Sequence, residues 1–467
     1  MISINVLPDD VLLGIFGLYL QVQEVLYPEE NTRAWQRLIH VCRRWRSVVF
    51  GSPRRLDLRL HCTGYCRSRD MLNIWPDLPL TITSYLDFST RRVDNLVAAL
   101  KCSDRVRKIN LSIFGNLDSE ILLAAMQQPF PELTELGLWR SGTMNETEVV
   151  PDSFLGGFAP RLELLEFDGV SFPGLPKLLL SATHLAHLKL LNIPHSGYFS
   201  PDALVAALAT LTSLEYLSLT FESPESCPDL ETRRLPPSTR SVLPVLTELY
   251  FKGVCEYLED LLTDIDAPQL NMLSIEFFND SVFDTPELIR FISRTPMSSA
   301  FKNVHIVLKD DTARVTFRSQ KDGYVEVSIF CEGLDWQLSS LEQVCFLCSP
   351  FLSTSEDLYI HEHIGSQPDW KDIIENRVLW LELLHPFTAV KNLYLSEKIV
   401  PLIGPALQEL VEGRATEVFP TLENIFLEGL ESSGRSQEGI GRFVSARQSA
   451  SHPIAISPWS IPELDMI

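Results

Sequence analysis

Four groups of residues combine types and spacings that could do chemistry. Cys345 and Cys348 stand three apart, the spacing of half a zinc site, but a structural zinc needs four ligands and no second pair lies near in the chain. Read as part of a strand, residues three apart face opposite sides, so the two sulfurs diverge and are core thiols. Cys62 and Cys66 lack partners in the same way. His361 and His363, separated by Glu362, place two imidazoles on one strand face, and two ligands fall short of a metal site. The carboxylate pairs Asp9-Asp10 and Glu29-Glu30 suit acid–base work, yet a helix N-terminus and a solvated loop account for them. No nucleophile elbow, phosphate loop or kinase signature occurs. The sequence therefore implies no catalytic residue, no metal and no cofactor. An enzyme built on the inserted hairpin described below would need a convergent polar pocket.

What the rest of the chain does position is a row of side chains. A phrase Leu-x-x-Leu-x-Leu recurs at Leu133, Leu136, Leu138; Leu162, Leu165, Phe167; Leu185, Leu188, Leu190; and Leu214, Leu217, Leu219. It continues at Leu246, Leu249, Phe251 and at Leu270, Leu273, Ile275, then more weakly at Phe301, Val304, Ile306 and Leu341, Val344, Phe346. The last copies are Val390, Leu393, Leu395 and Leu422, Ile425, Leu427, and an early degenerate one is Val106, Ile109, Leu111. Successive anchors are 29 residues apart from Leu133 to Leu162 and 40 apart from Phe301 to Leu341. A period of about 20–29 residues with one strand and one helix per unit resembles a leucine-rich repeat, here of an irregular kind that lacks the consensus asparagine. Helical patterns between the strands, among them residues 201–211, 286–293, 370–384 and 405–412, imply parallel strands with right-handed crossovers.

Two stretches break the rhythm. Residues 222–244 hold five prolines and read as an exposed loop. Residues 309–338 contain two alternating runs around Asp322-Gly323, the signature of a β-hairpin. Residues 56–60 also alternate and predict a strand. In each repeat the last two leucines point inward, so the residues beside them face a groove. Those are Trp139, Glu166, Lys189, Ser218, Tyr250, Ser274, His305, Tyr394 and Phe426. Trp139, Tyr250, His305, Tyr394 and Phe426 are the candidate substrate-binding anchors, because exposed rings on a rigid surface dominate binding energy.

The N-terminus has a separate character. Leu7-Pro8-Asp9-Asp10 suits a helix start, and Val11, Leu12, Ile15, Phe16, Leu18 and Tyr19 then follow at helical spacing as one stripe. Trp35, Leu38, Ile39, Cys42, Trp45, Val48 and Val49 form a second helical pattern. Leu7-Pro8, Ile15-Phe16 and Val41-Cys42-Arg43-Arg44-Trp45 together resemble an F-box, with about ten more residues than the family has between Phe16 and Val41. The resemblance implies a three-helix module that binds the Skp-type adaptor of an SCF ubiquitin ligase and, through it, a cullin scaffold. It implies adaptor contacts among Leu7, Pro8, Ile15, Phe16, Val41, Cys42 and Trp45.

Composition bounds the partners. The chain of 467 residues carries a net charge of −22. Residues 1–55 hold seven arginines against five acids, so the remainder carries −24. A body this acidic repels phosphate backbones, which disfavours nucleic acid. No apolar run is long enough to cross a bilayer, no secretory leader precedes the helices, and the nine cysteines follow no framework. These point to an intracellular protein, cytoplasmic or nuclear, that binds no membrane. The expected fold is α/β: an F-box-like module over residues 1–52, then an irregular leucine-rich repeat solenoid with a curved parallel sheet over 53–430. A polar linker and C-terminal cap follow over 431–467. The function this implies is a substrate-recognition subunit of an SCF-type ubiquitin ligase, binding a protein substrate on the solenoid. The alternative is a non-ligase recognition scaffold with a helical cap.

Overall fold

The computed structural model describes residues 6–26, 34–65, 68–75, 77–84, 90–113, 117–140, 149–226, 240–278, 285–299, 301–319, 323–331, 333–363, 377–410, 416–429 and 438–460. The chain divides into two compact units, Met1–Leu185 and Ala186–Ile467.

The first unit opens with three helices, α1 (Asp9–Leu26), α2 (Ala34–Ile39) and α3 (Arg43–Gly51). Pro8 precedes α1 and its carbonyl accepts from Val11 N and Leu12 N, each at 3.1 Å, while Asp9 and Asp10 occupy the first turn. The second helical pattern is not one helix. It breaks before Cys42, whose backbone is extended and whose Sγ accepts from Trp45 N at 3.4 Å, so Cys42 caps α3. The unit continues with β1 (Leu60–Thr63), α4 (Ser68–Ile74), β2 (Leu80–Ser84), α5 (Thr90–Leu100), β3 (Val106–Ile113), α6 (Leu117–Ala125), β4 (Glu135–Arg140), β5 (Leu164–Asp168) and α7 (Leu175–Leu179). Its strands are parallel, and Cys62, Ile82, Ile109, Leu136 and Leu165 pair in register as one buried row. The strand expected over 56–60 is instead a turn in which Asp57 takes φ 46°, and pairing starts only at Leu60.

The second unit runs β6 (His187–Ile193), α8 (Pro201–Leu208), β7 (Tyr216–Phe221), β8 (Ser241–Val242), β9 (Glu248–Gly253), α9 (Cys255–Asp264), β10 (Ile265–Asp266), β11 (Met272–Phe277), α10 (Pro286–Arg294) and β12 (Phe301–Leu308). It goes on through β13 (Thr312–Ser319), β14 (Tyr324–Phe330), α11 (Leu334–Leu347), α12 (Ser349–Leu352) and β15 (Asp357–Glu362). It ends with α13 (Arg377–Leu384), β16 (Asn392–Leu395), α14 (Val400–Glu409), β17 (Asn424–Glu428), α15 (Glu438–Ser449) and β18 (Ala455–Trp459). The strand order is β6-β7-β9-β11-β14-β13-β12-β15-β16-β17-β18. All pairs are parallel except β12–β13 and β13–β14. The hairpin foreseen from its alternation is therefore laid into the sheet, and β13 alone runs against its neighbours. Its turn residues 320–322 lie outside the described ones, as do 227–239 of the proline-rich loop and 370–376 of a predicted helix.

Two corrections bear on function. Leu341, Val344 and Phe346 are not a strand repeat but part of α11, where Leu334, Leu338, Leu341 and Cys345 share one buried face. The strand that the phrase misplaced is β15, led by Ser355 where other repeats have leucine. Ser355 is fully buried, and its hydroxyl donates to the Phe301 carbonyl at 3.1 Å, so a polar residue stands in the core at no cost in lost hydrogen bonds. The helix predicted over 405–412 begins earlier, at Val400, with Pro401 in its first turn and Pro405 inside it.

Where α14 and α15 meet, a Cβ on Gly439 would stand 2.6 Å from the Gly404 carbonyl oxygen. Backbone cannot yield as a side-chain tip does, so Gly439→Ala is expected to cost on the order of 2 kcal/mol in chemical denaturation. In the first unit, burial and then the Arg59 and Lys108 cations push the His61 imidazole down to about 4 from 6.5. Below 6.5 the unfolded chain takes up a proton that the folded chain refuses, so stability falls as pH drops from 6.5 towards 4. The imidazole is partly exposed, so the loss is on the order of 2 kcal/mol, and His61→Gln is expected to flatten that part of a thermal-midpoint profile.

Candidate functional site: an aromatic ladder on the sheet face

In the second unit the register carries the repeat's buried rows without a break from strand to strand. Leu217, Leu249, Leu273, Val325, Phe317, Val304, Leu358, Leu393 and Ile425 pair in succession and are all buried. The position between the two inward residues consequently forms one row on the opposite face. In spatial order that row reads Lys189, Ser218, Tyr250, Ser274, Glu326, Thr316, His305, Tyr359, Tyr394, Phe426 and Ser457.

The row divides by chemistry. Its middle is polar: Ser274 and Thr316 each donate to the Glu326 carboxylate at 3.4 Å, and Arg314 Nη1 stands 3.5 Å from it. Tyr250 donates to Glu276 at 3.2 Å, and Lys252 pairs with Glu276 at 2.6 Å. Burial, and next the Glu276 charge, push the Tyr250 phenol up to about 12. Tyr250 is thus tied to its neighbours by a hydrogen bond.

The other end is a stack. His305 lies 4.3 Å from Tyr359 with the rings 6° from parallel; Tyr359 lies 4.2 Å from Tyr394 at 9°, and Tyr394 4.5 Å from Phe426 at 8°. Adjacent strands are about 4.7–4.9 Å apart, so aromatic residues at one register position must stack. Each pair contributes roughly 0.5–1.5 kcal/mol beyond burial. Trp459, from the edge strand β18, turns back across the stack, 5.6 Å from Tyr394 and 6.1 Å from Tyr359. His305 is buried, whereas Tyr359, Tyr394, Phe426 and Trp459 are half-buried and open to a partner. Burial raises the Tyr394 phenol, and a hydrogen bond with Tyr359 offsets part of that rise. Beside the rings, Asn392 Nδ2 donates to Asp357 at 2.7 Å and Asn424 Nδ2 to Asn392 at 2.8 Å.

Of the candidate anchors, the structure joins His305, Tyr394 and Phe426 and adds Tyr359 and Trp459. Tyr359 was hidden because its repeat begins with serine, and Trp459 because it lies past the last leucine phrase. Trp139 belongs to the first unit. Its ring folds over Gly137, where a Cβ would stand 2.6 Å from it, and its Nε1 donates to Glu166 at 3.1 Å.

The N-terminal candidates fall into two sets. Phe16 is buried and lies 4.7 Å from Trp45, Cys42 caps α3, and Leu7 offers its carbonyl to Arg44 at 2.5 Å. Arg44 also pairs with Asp9 at 2.6 Å, so these residues assemble the three helices. Pro8, Ile15 and Val41 face outward. The single stripe expected on α1 is two. Leu12, Leu13 and Phe16 are buried, while Val11, Ile15, Leu18 and Val22, spaced four, three and four apart, leave 45, 41, 65 and 51 % of their surface exposed.

The metal candidates also moved. Cys345 lies in the last turn of α11 and Cys348 is the C-cap that ends it, three residues on along a helical path and not along a strand; both are buried, and burial raises both thiols. Their high pKa values make them unreactive. His361 is buried beside His305, edge-on at 6.3 Å. Among the described residues no three His, Cys, Asp or Glu are grouped to hold a metal; Cys66, Glu29 and Glu30 lie outside them. No described helix is long and apolar enough to cross a membrane.

No family model matches the chain, and no curated protein matches it. Among solved structures it is similar to the leucine-rich repeat-containing protein LegL7 from Legionella pneumophila, at 14% identity over 82% of this chain and 97% of that one, with a TM-score of 0.27. So low a score carries no argument, and the repeat assignment stands on the strand registers.

Removing one ring tests the stack. Tyr359→Ala leaves His305 and Tyr394 without a shared neighbour and is expected to cost about 2–3 kcal/mol in denaturant unfolding, with loss of near-ultraviolet circular dichroism. Tyr359→Phe keeps the stack but is expected to raise the Tyr394 pKa further in a spectrophotometric titration, since the hydrogen bond that lowers it is gone.

Proposed function

We propose that this chain is the substrate-recognition subunit of an SCF-type ubiquitin ligase. In this reading α1 to α3 dock a Skp-type adaptor, and through it a cullin scaffold, while the sheet face of the repeats binds a protein substrate. The observation that carries it is the second stripe of α1. Four apolar side chains on one helix face, with Val41 (59 % exposed) and Pro8 also turned outward, are costly to leave in water and suit a protein partner. They occur where the F-box resemblance expects the adaptor. Leu7, Phe16, Cys42 and Trp45 then build the module, and Pro8, Ile15 and Val41 are the motif residues that touch the adaptor. The chain itself performs no chemistry in this role, which belongs inside the cell, in cytoplasm or nucleus. The substrate contacts proposed are Tyr394 and Phe426, with Tyr359 and Trp459 beside them and His305 closing the stack behind Tyr359; Trp139 and Tyr250 are secondary.

The rival is a recognition scaffold outside any ligase, favoured by the use of Phe16, Cys42 and Trp45 in internal packing. The two readings part at the adaptor. Purified full-length chain is expected to retain a Skp-type adaptor in a pull-down. Ile15→Asp with Leu18→Asp should abolish that while leaving the far-ultraviolet circular dichroism unchanged, because both positions face solvent. Failure of the wild-type chain to bind would leave the scaffold.

A further inference from the structure

A second surface lies on the helical side of the second unit, away from the sheet face. There α11, α13, α14 and the segment after α14 enclose a groove of about 450 Å3. That falls within the roughly 300–1,000 Å3 of ligand-sized pockets. Its apolar lining is Phe346, Val378, Leu381, Leu410 and Val418. The outward side of a packed helix ordinarily carries polar residues. Here Phe346 and Val378 leave 65 % and 58 % of their surface in water, and Leu410 and Val418 are the buried floor between them.

The rim is acidic. Glu342, Glu382, Glu409 and Glu417 line the same groove, with His385. Arg377 Nη1 holds Glu409 at 3.2 Å. Burial, and then the like charge of Glu382, raise the Glu342 carboxyl above its ordinary value, so the two acids work against each other beside an apolar floor. A cation brought between them relieves that repulsion, and an apolar side chain on the floor covers Phe346 and Val378.

We propose that this groove docks a segment of a partner protein that carries apolar anchors and lysine or arginine on one amphipathic element. Apolar anchors at i, i+3 or i+4, and i+7 match a groove between helices, and basic residues flanking them meet the glutamates. A second copy of this chain is opposed by its net charge of −22, and anionic lipid or nucleic acid by the same sign. The site is distinct from the outward stripe of α1 and from the aromatic ladder, and it does not depend on the ligase reading.

The test uses the full-length chain and fluorescence anisotropy with three labelled peptides of about 14 residues. One has a leucine stripe with lysines, one the same stripe with glutamates, and one serines with the same lysines. The leucine–lysine peptide is expected to bind, and more weakly as salt rises from about 50 to about 500 mM. Phe346→Asp and Glu382→Lys are each expected to weaken it at least tenfold. Tyr394→Ala and Ile15→Asp should leave it unchanged. Both groove positions are exposed, and a matching far-ultraviolet spectrum confirms that each variant folds; Glu382→Gln, which alters charge but little else, should weaken binding in the same direction. Equal binding by the serine–lysine peptide would reduce the effect to bulk charge and overturn the proposal. So would wild-type affinity in the groove variants, or no binding of the leucine–lysine peptide at micromolar concentration. Dimerisation of the chain that Phe346→Asp abolishes would assign the groove to a second copy instead.

Discussion

Everything in the second unit depends on one constraint, the register in which each strand meets the next. Two residues of every repeat must reach the same buried rows, because a slip of one residue would turn leucines outward and polar groups inward. Once those rows are fixed, the residue between them has no freedom either. It joins a single row on the other face, at the spacing the backbone hydrogen bonds impose. His305, Tyr359, Tyr394 and Phe426 stack at 4.2 to 4.5 Å for that reason. The exposed aromatic row is a by-product of core packing.

The inserted strands obey the same rule in spite of their direction. Phe317 and Val315 in β13 sit opposite Val304 and Ile306 in β12, and Val325 and Val327 in β14 continue the rows to β11. An antiparallel strand alternates with the same period as a parallel one, so the core tolerates it. What changes is the chemistry of the exposed row. The insertion brings Thr316 and Glu326 between the tyrosine of β9 and the aromatic stack, and so separates a hydrogen-bonded polar stretch from an apolar one. The ladder is also bounded at its far end. Pro458 in β18 has no N–H to offer a further strand, which suits an edge, and the neighbouring Trp459 leans back over the rings.

The helical surfaces follow a different logic, in which a helix can carry more apolar surface than its neighbours cover. On α1 the buried and exposed stripes lie side by side, and the buried one is closed by Trp45 against Phe16. On α11 and α13 the inward faces fill the core through Leu341, Cys345, Trp380 and Leu384, while Phe346 and Val378 remain outside. Both surfaces leave apolar side chains in water, and they differ in charge. The α1 stripe borders arginines that are engaged with Asp9 and Asp10, whereas the groove is ringed by glutamates.

Much of the repeat was legible from residue types alone. Leucines at two fixed positions leave one pairing register that buries both, so β3 to β7, β9, β11, β12, β16 and β17, and the side on which Lys189, Tyr250 or Tyr394 lies, follow from the pattern. The hairpin was legible for the same reason. Local pattern failed where two structures bury the same residues. Leu341, Val344 and Phe346 satisfy the strand phrase, but Leu334, Leu338 and Cys345 extend the buried face at helical spacing, and only packing against neighbouring elements selects the helix. It failed at Ser355, because a serine is read as polar until a carbonyl is placed against its hydroxyl, and Tyr359 was lost with it. The first helix held the reverse ambiguity. Its apolar residues read as one stripe, and only the positions of α2 and α3 divided them into a buried side and an exposed one. The sequence by itself determined the period, the inward residues and the charge. The tertiary structure decided which rings meet, which apolar face stays uncovered, and where the glutamates converge, because those depend on neighbours far apart in the chain.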